Sequence, residues 1–399
     1  MNIPFVKPDI NEDDIKAVSD VLRSGWITTG PVTKKFEKEL AAYMNTPKVV
    51  CVNSQTSGAE LALRLLGIGE GDEVIVPAYT YTASCSVIKH VGATPVMIDC
   101  QKDSPQMDYD LMEAAITEKT KVIIPVDIAG VLCDYERIFQ AIKNKQKKYR
   151  LTTDNAYQKA FQRIIVLADT AHSLGAELNG IKSGNFADFS SFSFHAVKNL
   201  TTAEGGAVTW RKHEDLDDEK LYKDLMLFAL HGQTKDALEK TKASAWEYDI
   251  IDPLYKCNLS DLAAALGYSQ FQRYPQMLAR RAEIIHKYDA GFKDLPITTL
   301  NHFERGQHSS GHLYFIRINN YTEKERNEFI NQMGEKGIAC NVHYKPLPML
   351  SAYKKLGYDI ADYPNAFHYY QNMVTLPIYS TLTDEEVYYI IESVQEILG

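Results

Sequence analysis

Apolar residues occur along this chain in short uninterrupted runs, and the stretches between them carry helical spacing. After an arm that contains prolines, Asn11 stands where a helix N-cap belongs. Ile15, Val18, Val21 and Leu22 then recur on one helical face until Gly25. Thr28-Thr29-Gly30-Pro31 reads as a turn. The runs at 49–52, 74–76, 96–98, 122–124 and 164–167 follow, with helical patterns between them, among them 57–66 and 82–91. Strands that take turns with helices in this way predict an α/β fold with a mainly parallel sheet covered on both faces. Two more runs, 190–194 and 207–210, come without a helix between them.

Between 143 and 163 the chain turns polar, rich in Lys, Gln, Thr and Asn, which reads as a surface insertion without a catalytic role. Near Asn258 a new helix is expected, with Ser260 as N-cap and Asp261 in its first turn. From there to Gly399 strands such as 313–318 alternate with helices. A chain of 399 residues exceeds one simple core. The expected division is an N-terminal arm (1–14), a large domain (15–250) and a small C-terminal domain (251–399).

Composition narrows the class. Hydrophobic residues at 45% and charged residues at 24%, with no low-complexity stretch, fit a soluble globular protein. A net charge of -9 opposes a nucleic-acid surface and leaves room for a local cationic pocket. No window has the apolar length of a signal peptide or a membrane span, so a cytoplasmic protein with no membrane contact is expected. The six cysteines lie far apart, which indicates reduced thiols rather than disulfides or zinc. The eleven histidines show no His-x-x-x-His spacing on a helical pattern, so no metal centre is expected.

In open α/β sheets ligands sit beyond the carboxyl ends of the strands, which gives weight to the polar residues after each run. Three segments qualify: Asn53-Ser54-Gln55-Thr56-Ser57-Gly58, Asp169-Thr170-Ala171-His172, and the segment from Ser190 through His195 and Lys198 to Gly206. Each alone has an ordinary reading as a helix cap or a solvated lysine. Together they supply a phosphate cradle at a helix N-terminus, a carboxylate and an amine. Pyridoxal 5'-phosphate (PLP) requires that set.

With these motifs, and with Ser24-Gly25-Trp26-Ile27-Thr28-Thr29-Gly30-Pro31, Gly71-Asp72-Glu73-Val74-Ile75-Val76-Pro77, Gly92-Ala93-Thr94-Pro95-Val96 and Asn258-Leu259-Ser260-Asp261, nearly the whole chain resembles the sugar-nucleotide aminotransferases of the DegT/StrS type. The most specific part is Ser193-Phe194-His195-Ala196-Val197-Lys198-Asn199 with Ala203-Glu204-Gly205-Gly206. The resemblance implies the aspartate-aminotransferase (fold type I) architecture: a large domain with a mainly parallel seven-stranded sheet and a smaller C-terminal α/β domain. It implies that Lys198 holds PLP as an imine, that Asp169 pairs with the pyridine nitrogen, and that Thr56, Ser57 and Ser193 bind the phosphate. Tyr81 would stack on the ring, and His172 would touch the cofactor or the sugar. Asn258 would reach the phosphate in a partner subunit's site, which implies a homodimer with shared sites.

The same resemblance implies a ping-pong reaction. L-glutamate converts PLP to pyridoxamine 5'-phosphate (PMP), and a keto-sugar nucleotide then takes the amino group, with Lys198 moving the proton in both halves. Thr29, His195, Lys256, Arg281, His343, Tyr344 and Lys345 are the candidates for holding the substrate and its diphosphate. The Asp169-x-x-His172 form of the loop tilts the substrate towards a UDP-linked 4-keto sugar. The product is then a 4-amino-4-deoxy sugar nucleotide for surface polysaccharide or glycoconjugate synthesis. Relatives that aminate the 3-position more often carry Gln in place of His172. A 3-keto-sugar nucleotide aminotransferase and a non-catalytic protein of the same fold are the rival readings, and Lys198 opposes the related dehydratases, which carry His there. The chain departs from many relatives at Asp127, where they have His, and at 143–163. Both departures bear on sugar specificity.

Overall fold

The structure, a computed structural model, describes residues 1–235, 238, 247–304 and 306–399. Its central strands are buried on both faces, which explains why they read as unbroken apolar runs. Val74 and Val76 of β2 (Glu73–Pro77) join one hydrophobic cluster and Ile75 another. Ile165 and Leu167 of β5 (Ile165–Asp169) split from Val166 and Ala168 in the same way. With β1 (Val49–Val52), β3 (Thr94–Ile98), β4 (Thr120–Ile123), β8 (Phe189–Ser193) and β9 (Gly206–Trp210) they build a seven-stranded sheet in the order β1-β9-β8-β5-β4-β2-β3. β9 alone runs against the others, antiparallel to both β8 and β1. The hairpin strands β6 (Glu177–Leu178) and β7 (Ile181–Lys182) stand outside this sheet, and β6 also pairs with β11 (Gln307–His308).

Helix α1 (Glu12–Ser24) starts at Asn11 with a complete capping box and stops at Gly25, whose φ of 74° ends it in the left-handed region. Its apolar face is only partly used: Val21 is buried, whereas Ile15 and Leu22 are exposed. α1 packs on the helix Asp261–Gln272, and Arg273 binds the Asp14 carboxylate through both terminal nitrogens (2.7 and 2.9 Å). α2 (Pro31–Met44) has Gly30 at its N-cap and no side chain of its own to cap it. Asp261 fills that role from the other helix, accepting the Gly30, Val32 and Thr33 amides (2.8–3.1 Å) and the Thr33 hydroxyl (2.6 Å).

The smaller sheet, β10 (Ile297–Thr299), β12 (Tyr314–Ile318) and β13 (Met373–Leu376), is antiparallel in the order β10-β12-β13, with helices around a separate core. The expected boundary at 250/251 does not mark the change of core. Leu259 and Ala264 pack with Phe36, Phe192 and Phe194 of the large core, and the helix Tyr274–Phe292 carries the chain across. Tyr274 and Met277 lie in the first core, Ile284 and Tyr288 in the second.

The polar stretch 143–163 is more than a surface insertion. Tyr157 and Phe161 pack into the main cluster. The Asn155 and Gln158 amides donate to the Leu65 and Leu66 carbonyls (2.8 and 2.7 Å), closing the C-terminal end of α3 (Gln55–Leu65). Hydrophobic periodicity is blind to this role, because amide side chains perform it.

Candidate active site

The parallel strands end at one edge of the sheet, and β9 begins there. The turns after β1, β2, β4, β5 and β8 therefore converge on a cleft of about 360 Å³, with residues 343–344 of the C-terminal part as its outer wall. Of the residues expected from sequence, Thr56, Tyr81, Asp169, His172, Ser193, His195, Lys198, His343 and Tyr344 line it.

Asp169 and Lys198 form its electrostatic centre. Asp169 ends β5 and is buried. One carboxylate oxygen accepts from the Ser84 hydroxyl (2.7 Å) and the other from the Ala171 amide (3.1 Å). Burial pushes its carboxyl above the usual aspartate range, and Ser84, Ala171 and Lys198 pull it partly back. Burial lowers Lys198 from 10.5 to about 8, with Asp169 acting in the opposite direction. An amine so tuned has an appreciable neutral fraction near physiological pH, as a nucleophile and a proton carrier must.

The other end of the cleft is built for an anion. α3 starts after β1 with Ser54 as N-cap, accepting the Ser57 amide (3.1 Å), so the helix points its N-terminus at the cleft. Gly206, the first residue of β9, lies so close that a Cβ there would sit 2.4–2.6 Å from backbone atoms of Ser54, Gln55 and Phe192. The buried Gln55 Nε2 has no partner among the described residues. Thr56 and Ser193 line this end as expected. Ser57 does not: its hydroxyl is engaged by Asn53 Oδ1 (2.7 Å) and the Ser54 carbonyl (2.9 Å). A helix N-terminus, an orphaned buried donor, a buried carboxylate and an amine of lowered basicity fit PLP. Its phosphate would lie at Thr56 and Ser193, its ring nitrogen at Asp169 and its carbonyl carbon at Lys198.

The tautomer of His172 follows from its partners. The Ala129 amide donates to Nδ1 (3.1 Å), so Nδ1 carries no proton. Ala129 holds this amide in place with a left-handed φ of 58° inside the turn Ile128–Gly130. Burial, with Lys198 and His343 adding to it, takes the imidazole well below its ordinary pKa. The neutral ring therefore carries its proton on Nε2, which lies 3.0 Å from the Tyr344 hydroxyl. Behind it stands His312, ring centroids 4.3 Å apart. Its Nδ1 is 2.9 Å from Asn199 Oδ1, while Asn199 Nδ2 donates to the Ser310 carbonyl (2.8 Å).

Some expected residues lie elsewhere. Arg281 is a correction: it is no diphosphate ligand at the cleft mouth. It is buried, and its guanidinium donates to the Gly311 and Ile378 carbonyls (both 3.1 Å), tying a loop to the end of the smaller sheet. Thr29, Lys256 and Asn258 bond to one another away from the cleft lining, and Lys345 is exposed beside Tyr344. His195 lines the cleft with its ring 3.6 Å from Glu204. Asp127 faces away from the cleft: it accepts the Cys133 amide, the Tyr135 hydroxyl and the Ser173 hydroxyl (2.8–2.9 Å), and burial raises it to about 6. Ser84, His312 and Asn199 escaped the sequence reading. For Ser84 a signal existed, the i,i+4 pair with Thr80, whose hydroxyl lies 3.0 Å from it.

Comparison with known proteins agrees with this chemistry. The chain is 36% identical over 405 aligned positions to the spore coat polysaccharide biosynthesis protein SpsC of Bacillus subtilis, with 99% of this chain and 97% of that one covered. It is 32% identical to the UDP-4-amino-4-deoxy-L-arabinose–oxoglutarate aminotransferase of Shewanella sediminis, with 100% and 98% covered. Spr1654 of Streptococcus pneumoniae, a protein assigned to the sugar aminotransferases and solved in PMP and PLP forms, matches in its PMP form with a TM-score of 0.96 at 55% identity, covering 99% of each chain. The model of the DegT/DnrJ/EryC1/StrS aminotransferase family covers residues 8–395, and this chain belongs to that family, whose aminotransferases work with PLP.

Proposed function

We propose that this aminotransferase moves the amino group of L-glutamate to a UDP-linked 4-keto sugar, giving a 4-amino-4-deoxy sugar nucleotide for a surface polysaccharide or glycoconjugate. The observation that carries the chemistry is Lys198, lowered to about 8, in one cleft with the buried Asp169. The sugar class draws support from His172 on the cleft wall and from the Shewanella relative, whose name couples a UDP-4-amino sugar to oxoglutarate. Two-fold dimers with shared sites accord with Asn258 and Thr29 lying off the cleft lining of their own chain. A cytoplasmic setting accords with six unpaired cysteines and with the absence, among the described residues, of a helix long and apolar enough to cross a membrane.

When bound, PLP supplies an electron sink and a carbonyl carbon that takes and returns the amino group. The chain's own residues do the rest. Asp169 keeps the proton on the ring nitrogen, and Ser84 fixes that carboxylate. Lys198 Nζ takes the proton from the donor's alpha carbon and, in the second half, delivers one to the sugar carbon that gains nitrogen. Thr56, Ser193 and the α3 N-terminus would hold the phosphate, and Tyr81, on the cleft lining, would pack against the ring. His195, His343 and Tyr344 face the sugar nucleotide.

The test is a two-step absorbance experiment on the PLP-loaded protein. L-glutamate is expected to remove the visible band, and a UDP-linked 4-keto sugar to restore it, with the 4-amino product identified by NMR. Restoration by 3-keto but not 4-keto sugars would replace the sugar reading and leave the aminotransferase intact.

A further inference from the structure

Two consecutive residues of the outer wall, His343 and Tyr344, are held by one side chain that comes from the opposite part of the molecule. Tyr79 follows β2 and is fully buried, its ring edge-on to Tyr369 at 5.3 Å. Its hydroxyl donates to the His343 carbonyl (2.9 Å) and accepts the Tyr344 amide (3.0 Å). A phenylalanine would bury the same ring, and a buried hydroxyl is tolerated only when it is bonded. Both bonds of this hydroxyl fall on residues that line the cleft.

What they orient is the contact described above, the Tyr344 hydroxyl 3.0 Å from His172 Nε2. Because His172 Nδ1 accepts the Ala129 amide, Nε2–H donates and the Tyr344 oxygen receives. The Tyr344 O–H is thereby left to point at a ligand in the cleft. The neighbouring residues hold other parts of the site. Thr80 contacts Ser84, which holds Asp169, and Tyr81 faces the cleft. Ala78 accepts the Leu347 amide (2.9 Å), and Thr82 meets the Tyr353 hydroxyl (2.6 Å). These last two contacts already join the segments, so the Tyr79 hydroxyl is not needed to keep them together. Its two bonds act where His343 joins Tyr344.

We propose that Tyr79 is a positioning residue of the active site, whose hydroxyl clamps the backbone between His343 and Tyr344 and so sets the Tyr344 hydroxyl against His172. The proposal rests on the reading of this cleft as the aminotransferase site. Its test is a double-mutant cycle of Tyr79→Phe, Tyr344→Phe and the pair, in the PLP-loaded full-length protein, with Thr82→Val as a control on the same segment. Two quantities are read: the pH midpoint at which the visible band of the bound cofactor changes, and the rate at which L-glutamate removes that band.

Tyr79→Phe is expected to move the midpoint in the same direction as Tyr344→Phe and to slow the removal about tenfold. The pair is expected to be no worse than Tyr344→Phe alone. Thr82→Val is expected to lower the melting temperature and leave the midpoint in place. Effects that multiply in the pair, a Tyr79→Phe protein that loses only melting temperature, or a midpoint that moves equally in Thr82→Val would each overturn the proposal. A wild-type band that ignores L-glutamate would instead count against the aminotransferase reading, and the midpoints would still decide the role of Tyr79.

Discussion

The proposed mechanism turns on Lys198, and its lowered basicity is open to direct measurement. Below about pH 8 most of Nζ is protonated and cannot attack a carbonyl. In protein stripped of cofactor, the rate at which added PLP forms its visible band is expected to rise about tenfold per unit towards pH 8 and to level off above it. Stopped-flow absorbance reads this, and a rate still climbing at pH 10 would mean that burial does not tune the amine. The places of Asp169 and Lys198 beyond two strand ends could be read from the sequence, because each comes soon after a strand run, where the fold class puts ligands; the roles proposed for them came from the resemblance. Tyr79, His312 and Asn199 were not, because the hydrogen-bond partners described for them lie 111 to 265 residues away and no local pattern records such contacts. Arg281 was misplaced for the same reason: its sequence shows a cation, and only the packing shows that it binds two carbonyls inside the protein.

At the scale of elements, the strands and their order of appearance could be read closely, since burial on both faces leaves a continuous apolar signature. Caps supplied from a distance could not. α2 lacks a capping side chain in its own sequence and takes Asp261 instead, a single carboxylate that accepts four donors from Gly30, Val32 and Thr33. Asp261→Ala leaves those donors unmet in a buried place and is expected to cost roughly 3 kcal/mol. The measurement is the denaturant midpoint of the cofactor-free protein. A shift below about 0.5 kcal/mol, the ordinary effect of a surface substitution, would show that α2 does not depend on this cap. The polar stretch 143–163 was read as surface for the complementary reason: Asn155 and Gln158 serve α3 through amides, which carry no hydrophobic signal.

For the whole molecule, several histidines are buried in the neutral form. His172 and His312 sit well below the ordinary imidazole value and His302 falls to about 3, in each case chiefly through burial. A depressed folded-state pKa means that the unfolded chain binds protons first as the solution is acidified. This contribution to stability is whole above about pH 6.5 and is lost as the pH falls towards the folded values. The stability is therefore expected to fall between pH 7 and pH 5, by up to about 2 kcal/mol per buried histidine at pH 5, and the melting temperature with it. His302→Asn is expected to flatten that limb, and calorimetry showing an unchanged slope would exclude His302 as a contributor. The sheet order has a consequence for how the chain comes into being. Within the seven-stranded sheet, and among the described residues, β1 has β9 as its one neighbour, pairing Val49–Val52 with residues 206–209, so the first strand to leave the ribosome waits for the last one of its sheet. At roughly 5–20 residues per second that wait is on the order of ten seconds. Throughout it an apolar edge and the nascent anion-binding turn behind it stand open, and a chaperone has its longest opportunity there.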